Sequence, residues 1–155
     1  MKIGVGYDIH AFAEDRPLIL GGVQIPFDRG LTGHSDADVL VHAVCDALLG
    51  AAGMGDIGEH FPETDPQYKN ADSLNLLKAV WQIIYSHHQA IINMDATLFA
   101  QAPRLSPYKA AMREQLAAAL NIPVDRINIK ATTTEGLGFI GRGEGIAAMC
   151  VALID

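Results

Sequence analysis

Three residues of metal-ligating types lie on two predicted elements of the chain. Asp8 and His10 belong to KIGVGYDIH, whose alternation predicts a β-strand with both side chains on one face. His42 lies in HSDADVLVHAVCDALLG (34–50), on the polar side of a predicted amphipathic helix. One carboxylate and two imidazoles match a catalytic zinc site that keeps a coordination position open. The residues therefore predict a zinc site, provided that strand and helix meet.

The helix edge that carries His42 has two interpretations. Asp38, His42 and Asp46 are spaced i, i+4 and i+8, opposite the apolar arc of the helix. The edge could simply be a solvated polar face. If His42 binds a metal, Asp38 or Asp46 could accept the remaining imidazole N–H. The other histidines suggest less: His87 and His88 suit a helix C-terminus, and His60 suits a solvated loop.

A glycine-rich segment near the C-terminus, KATTTEGLGFIGRGEG (130–145), has the residue types of an anion-binding loop. Its GLGFIG matches the dinucleotide-binding pattern, but that pattern opens a helix, whereas this segment runs through RGEG into a predicted strand. A loop whose backbone N–H groups approach an anion is favoured, and a plain glycine turn is the alternative. The side chains that could assist are the hydroxyls of Thr132, Thr133 and Thr134, the hard-metal ligand Glu135 and the phosphate-binding Arg142.

Hydrophobic periodicity predicts the elements that must position these residues. Helices are expected over about 36–52 (capped by Ser35 or Asp36), in ADSLNLLKAVWQIIYSHH and in SPYKAAMREQLAAAL. LILGGVQIPF predicts a hairpin, AIINMDATLFA, RINIKAT and GIAAMCVALI predict strands, and GMGDIGEHFPETDPQYKN predicts a long, functional loop. The order predicts an α+β fold: a single two-layer domain (1–155) whose small mixed sheet is covered on one face by helices.

The composition restricts the classes of partner. Half of the 155 residues are hydrophobic and 19% are charged, as in globular proteins. The net charge of −7 and the lack of a basic run argue against nucleic acid or an anionic membrane as a partner. The start MKIGVGYD has no signal-peptide pattern, and Cys45 and Cys150 form no disulfide framework, which predicts the cytoplasm.

Five motifs together carry a family resemblance: YDIH, HSDADVLVHA, GDIG-x-x-FPETDP, AQAPRLSP and KATTTEGLGFIGRGEGI. In order and spacing, Ile3 to about Leu153 resembles the 2-C-methyl-D-erythritol 2,4-cyclodiphosphate synthases of the non-mevalonate isoprenoid pathway. The resemblance implies a phosphorus–oxygen lyase that turns 4-diphosphocytidyl-2-C-methyl-D-erythritol 2-phosphate into the cyclic diphosphate and CMP. It also implies zinc, a second divalent cation (magnesium or manganese) and a homotrimer with active sites between subunits.

The same resemblance implies a role for individual positions. Asp8, His10 and His42 match the zinc ligands and Glu135 the second-metal position, while His34 and Thr133 match residues that steady the transition state. Asp8 and His10 are also implied to contact the substrate. The positions that match contacts to its methylerythritol and phosphate end are His34, Ser35, Asp56, Ile57, Gly58, Phe61, Pro62, Glu63, Thr64 and Asp65. Contacts to cytidine and its phosphates match Ala100, Gln101, Ala102, Pro103, Arg104, Leu105, Ser106, Ala131, Thr132, Thr133, Thr134 and Glu135, with further ligand contacts at Phe139 and Arg142.

The chain departs from the commonest family pattern at three positions. Glu63 stands where Asp is usual, Arg104 where Lys is frequent and Tyr7 where Phe is common. The first change puts one substrate contact in doubt, and none of the three removes a metal ligand.

Two other functions fit the same residues. A metal-dependent nucleotide diphosphate hydrolase would use the zinc to activate water, and a trimeric binding protein would hold cytidine diphosphate-like ligands without turnover. The chain shows no Ser/His/Asp or Cys/His arrangement, which suits a reaction whose nucleophile belongs to the substrate. Whether water enters the product discriminates the synthase from the hydrolase.

Overall fold

The computed structural model describes residues 1–62, 64–68, 71–87 and 89–155, with Gln67 described by its backbone only. The strands are β1 (Lys2–Ala13), β2 (Leu18–Leu20), β3 (Val23–Ile25), β4 (Gly30–Leu31), β5 (Ile91–Phe99), β6 (Ile127–Thr132) and β7 (Gly145–Ile154). The α-helices are α1 (Val39–Ala52), α2 (Ile57–His60), α3 (Ser73–Ser86), α4 (Lys109–Leu120) and α5 (Gly138–Gly141). Single 3₁₀ turns cover Pro66–Tyr68, Ser106–Tyr108 and Val124–Arg126.

Five strands form a mixed sheet in the order β4-β1-β7-β5-β6. Only the β5–β6 pair is parallel among the described strands, and β2 and β3 form the separate predicted hairpin. The predicted α+β class, with a mixed sheet and helices, is confirmed.

Alternation along β1 gives the sheet two unlike faces. Gly4, Gly6, Asp8 and His10 point towards α1, whereas the side chains between them point to the opposite face. On that opposite face Ile3 is 69% exposed and Val5 62% exposed within one chain.

Close packing of α1 on β1 depends on the two glycines of KIGVGYD. A Cβ at Gly4 would lie 2.1 Å from the carbonyl oxygen of Ala47, and one at Gly6 would lie 2.0 Å from that of Ala43. No side chain fits in either gap, so the helix backbone lies directly on the strand. This packing brings the first turns of α1 to the end of the strand that carries Asp8 and His10.

The helix α1 starts later than its sequence pattern predicts. It begins at Val39 with Asp38 as its N-cap, which accepts from the backbone N of Val41, so Ser35 and Asp36 are not the cap. The reason is local: Ala37 has a left-handed φ of 59°, which a helix cannot contain.

The other predicted elements are found with smaller differences. The second predicted helix forms α3, with Asp72 as its N-cap, and AIINMDATLFA, RINIKAT and GIAAMCVALI form β5, β6 and β7. The third predicted helix opens with a 3₁₀ turn and becomes α-helical at Lys109. GLGFIG is not purely a loop, because it contains the one-turn helix α5. None of the helices in the described ranges combines the length and apolar character that a membrane span requires.

Candidate metal and substrate site

The predicted metal ligands of strand and helix meet. Asp8 Oδ2 lies 2.9 Å from His10 Nε2 and 3.0 Å from His42 Nδ1, and the two ring nitrogens are 3.2 Å apart. The three side chains are 25%, 18% and 15% exposed in that order, so the cluster is reached from solvent on one side. Among the described residues these are the ones gathered closely enough to hold a metal ion.

Hydrogen bonding orients the ring of His10 for ligation. Its Nδ1 lies 2.6 Å from the carbonyl oxygen of Thr32. Because a carbonyl only accepts, Nδ1 carries a proton, so the neutral ring turns the lone pair of Nε2 towards Asp8.

The electrostatics of Asp8 favour its charged form. Burial raises the pKa of this carboxyl, but hydrogen bonds and positive charge from the protonated forms of His10 and His42 outweigh burial and hold the pKa well below its ordinary value. When the ring nitrogens that face Asp8 are unprotonated, the carboxylate and the two imidazoles form a donor set that fits a divalent metal.

The partner predicted for the second nitrogen of His42 was wrong. Its Nε2 faces the hydroxyl of Ser73 at 3.0 Å and that of Ser35 at 3.2 Å. Asp38 is fully buried and accepts from the backbone N of Gly21 (2.9 Å), Gly22 (2.7 Å) and Val41. Its carboxylate therefore joins the β2–β3 turn to α1.

Asp46, the other carboxylate of that edge, does not bind His42 Nε2 either. Its Oδ1 accepts from the backbone N of Ile57 at 2.8 Å, which anchors α2 to α1. Burial raises the pKa of Asp46. The sequence did not indicate Ser73 as a partner of the imidazole. Its position suggested only that it is the first residue of a capped helix.

A cavity of about 160 Å³ opens beside the cluster. His34 lines it, and its Nε2 is buried without a hydrogen-bond partner in the described part of the chain. Arg16 holds the loop on both sides of His34 by donating to the carbonyl oxygens of Gly33 (2.8 Å) and Ser35 (2.6 Å). The predicted contact residues that line this cavity are Asp8, His10, His34, Ser35, Ile57, Gly58 and Phe61.

The other described residues predicted for this end of the substrate do not line the cavity. Asp56 is exposed and caps α2 by accepting from the backbone N of Glu59 at 3.0 Å. Pro62 and Thr64 are exposed and Asp65 is half-buried, whereas Glu63 lies outside the described residues.

A second cavity contains most of the residues predicted to hold the cytidine end. The loop Ala100, Gln101, Ala102, Pro103, Arg104, Leu105 and Ser106 faces Ala131, Thr132, Thr133 and Glu135 across it. The Thr133 hydroxyl donates to Glu135 Oε1 at 2.9 Å, and Glu135 has a left-handed φ of 53°. The two cavities share no lining residue, so Glu135 is not part of the Asp8–His10–His42 cluster.

Three further predicted contacts lie outside both cavities. Thr134 donates to the carbonyl oxygen of Leu137 at 2.7 Å and, with Phe139, lines an apolar groove beside Tyr7. Arg142 pairs with Glu144 at 2.5 Å on the surface.

Sheet register explains why the two cavities are separate within one chain. Asp8 pairs with Ala148, which pairs with Leu98, which pairs with Ala131, so these four residues form one row across the sheet. Three strand spacings separate Asp8 from Ala131, or roughly 14 Å. Both predicted halves of the site lie at the same end of the sheet without meeting.

The remaining histidines differ in their surroundings. His60 is half-buried in α2, with Nε2 2.8 Å from the carbonyl oxygen of Met54, so the prediction of a solvated loop residue was wrong. His87 lies at the C-terminus of α3, as expected, and its Nδ1 donates to the carbonyl oxygen of Ile83 at 2.9 Å. His88 lies outside the described residues.

Fold and site define an α+β protein that presents a carboxylate and two imidazoles as a divalent-metal site beside a cavity. A model of the YgbB family matches residues 1–155. A 2-C-methyl-D-erythritol 2,4-cyclodiphosphate synthase from Geotalea uraniireducens is 61% identical over 155 residues, which are 100% of this chain and 99% of the relative. The chain belongs to the YgbB family, and the family resemblance of its motifs is confirmed.

Solved structures agree with this assignment. A 2C-methyl-D-erythritol-2,4-cyclodiphosphate synthase in a CDP-bound form has a TM-score of 0.90 at 36% identity, covering 99% of both chains. The bifunctional IspDF from Campylobacter jejuni has a TM-score of 0.95 at 49% identity, covering 99% of this chain. This chain spans 42% of the length of that bifunctional protein.

Proposed function

We propose that this chain converts 4-diphosphocytidyl-2-C-methyl-D-erythritol 2-phosphate into 2-C-methyl-D-erythritol 2,4-cyclodiphosphate and CMP, as a phosphorus–oxygen lyase of isoprenoid precursor biosynthesis. The observation that carries the proposal is the Asp8–His10–His42 cluster at the cavity of His34. Identity of 61% to a synthase of that name supports the reaction.

The reaction must overcome repulsion between two anions. The 2-phosphate attacks the β-phosphorus of the same molecule, and unit charges about 4 Å apart repel by roughly 4 kcal/mol at an effective dielectric near 20. Zinc held by Asp8, His10 and His42, with magnesium or manganese held by Glu135, would neutralise this charge and polarise phosphoryl oxygens.

The protein itself positions the two reacting phosphate groups. His34 and Ser35, on the loop held by Arg16, hold the 2-phosphate near the cluster. Fixing both reacting ends in a ring-closing pose can remove roughly 7–11 kcal/mol of the barrier. Because the nucleophile is already a phosphate oxygen, the site needs no side chain to activate water. In this proposal the residues that hold the methylerythritol end are Asp56, Ile57, Gly58, Phe61, Pro62, Glu63, Thr64 and Asp65.

The second cavity suits the leaving group. Backbone groups of the 100–106 loop would hold the cytosine, and Thr132, Thr133 and Thr134 offer hydroxyls to the diphosphate. Thr133 would steady the phosphorus as the bond to CMP breaks, and Phe139 and Arg142 would add contacts at the rim. A CDP-bound form of a related structure supports a cytidine site in this fold.

We further propose a homotrimer whose active site lies between subunits. Two observations support it: the separation of the two cavities within one chain, and the apolar face that β1 exposes. A neighbouring subunit that packs on this face would bring its second cavity to the first cavity of this one. We also propose that residues 1–155 form one domain that acts in the cytoplasm.

Isotope labelling tests the choice of nucleophile. Reaction of the metal-loaded protein in ¹⁸O-water should yield CMP and a cyclic diphosphate without label, as measured by mass spectrometry. Glu135→Gln should slow CMP release without producing a linear diphosphate, since it affects metal binding and not the nucleophile. A linear diphosphate carrying one ¹⁸O would show that water attacks, and the hydrolase function would then replace this proposal.

A further inference from the structure

We propose that Ser73, held by Asp36, is a positioning residue that selects the metal-binding tautomer of His42. The inference deepens the proposed function and rests on it, because it concerns how one ligand of the same metal site is prepared. It assigns a task to α3, which carries none of the predicted site residues.

The direction of the Ser73 hydroxyl follows from its contact with Asp36. Ser73 Oγ donates to Asp36 Oδ1, and the backbone N of Ser73 lies 3.1 Å from Asp36 Oδ2. A carboxylate only accepts hydrogen bonds, so the hydroxyl proton points at Asp36. The side chain of Ser73 is fully buried and has no access to water as an alternative partner.

With its proton directed at Asp36, Ser73 presents lone pairs to His42. The distance from Ser73 Oγ to His42 Nε2 is 3.0 Å. A hydrogen bond forms there only if Nε2 carries the ring proton, which leaves the lone pair on Nδ1. That nitrogen is the one 3.0 Å from Asp8 Oδ2 and 3.2 Å from His10 Nε2, so the selected tautomer is the one that can bind a metal.

The competing tautomer has a partner of its own, which is why Ser73 matters. A proton on Nδ1 could be donated to Asp8, and Ser35 Oγ, 3.2 Å from Nε2, could donate to the unprotonated nitrogen. In that state the lone pairs of Nε2 and Ser73 Oγ would face each other at 3.0 Å. Ser73 thus disfavours the tautomer that Asp8 and Ser35 would otherwise stabilise.

The test compares Ser73→Ala with Ser86→Ala, an exposed serine at the other end of the same helix. Nitrogen-15 spectra of histidine-labelled, metal-free full-length protein report which ring nitrogen of His42 is protonated, and chelator competition reports zinc affinity. We expect protonated Nε2 in the unmodified protein and a shift to protonated Nδ1 in Ser73→Ala, with zinc binding weakened about 10- to 100-fold. Ser86→Ala should match the unmodified protein in both measurements.

Asp36→Asn is a second test, which can be used if Ser73→Ala does not fold. The amide has nearly the same shape as the carboxylate. The amide can donate to Ser73 Oγ, so the same tautomer shift and the same loss of zinc affinity are expected. The proposal is overturned if folded Ser73→Ala or Asp36→Asn keeps protonated Nε2 and zinc affinity within about twofold of the unmodified protein. Tautomer and zinc effects as expected in a protein that releases no CMP would refute the proposed reaction and leave this role in place.

Discussion

At the scale of residues, the site depends on the hydrogen bonds that orient its two imidazole rings. His10 is oriented by the carbonyl of Thr32, and His42 by hydroxyls, so both rings turn a nitrogen towards the carboxylate of Asp8. Asp38 has a different role, because its carboxylate accepts hydrogen bonds from three backbone N–H groups. Burial raises the pKa of Asp38 to about 6, against the lowering effect of those donors.

Removal of His42 should abolish metal binding without unfolding the chain. The protein is expected to carry about one zinc per chain, and His42→Ala should carry far less, because two ligands hold the ion poorly. Helical circular dichroism should persist, since the ring is half-buried and apolar neighbours form the core around α1. Elemental analysis checks the metal, with His87→Ala as the control at a remote helix end. Full zinc content in His42→Ala would exclude this ligand assignment.

At the scale of elements, the metal site depends on how closely one helix lies on one strand. Asp8 and His10 come from β1 and His42 from α1, and Gly4 and Gly6 set the distance between the two backbones. The same contact buries most of α1, from Val39 to Ala51. Stability and metal binding therefore share this packing.

Gly6→Ala should weaken both properties together. The added methyl group would lie 2.0 Å from the Ala43 carbonyl oxygen, so α1 must move away from β1. Overpacking of this kind costs roughly 1–3 kcal/mol, and displacement of His42 should lower zinc affinity. Urea unfolding and chelator competition measure the two effects.

Gly50→Ala is the matched control on the same helix. A Cβ there would meet its nearest neighbour at 3.9 Å, and alanine favours a helix over glycine by about 0.5–1 kcal/mol. Stability should stay equal or rise, with zinc affinity unchanged. An unchanged stability in Gly6→Ala would contradict the proposed role of the close contact.

At the scale of the whole molecule, the part of one sheet face that β1 and β7 form is apolar and exposed in the single chain. Ile3, Val5, Tyr7 and Ile9 of β1 line it, next to Met149 of β7. Contiguous apolar surface of this kind marks an interaction site. The two cavities are separate within one chain. We therefore expect other copies of the chain to cover this face and bring a second cavity to the first.

Val5→Glu should therefore disrupt the proposed trimer and its activity. Sedimentation equilibrium of the unmodified protein should give three times the 16.6 kDa chain mass, and the variant a lower mass, because burying an unpaired carboxylate is costly. CMP release should fall with the trimer while circular dichroism is retained. Val124→Glu, at a side chain 42% exposed on a 3₁₀ turn, should leave mass and activity unchanged. A monomer that turns over at the full rate would refute the shared site.

Local pattern was enough to predict most elements and the types of ligand. Alternation in KIGVGYDIH placed Asp8 and His10 on one face, and glycines marked the β2–β3 hairpin. The start of α1 was predicted too early, because the left-handed Ala37 that excludes residues 36 and 37 from the helix has no signal in residue type. The helical turn in GLGFIG was not predicted, because glycines give no helix signal in residue type.

The sequence by itself determined which residues can bind a metal, on which elements they lie and which family the chain resembles. Only the tertiary structure decided that His42 Nε2 faces Ser73 and Ser35 in place of Asp38 or Asp46, and that the two cavities stay apart in one chain. The physical reason is the range of the interactions. Periodicity reports on neighbours within one element, whereas the partners of His42 and the row from Asp8 to Ala131 are set by packing between elements distant along the chain.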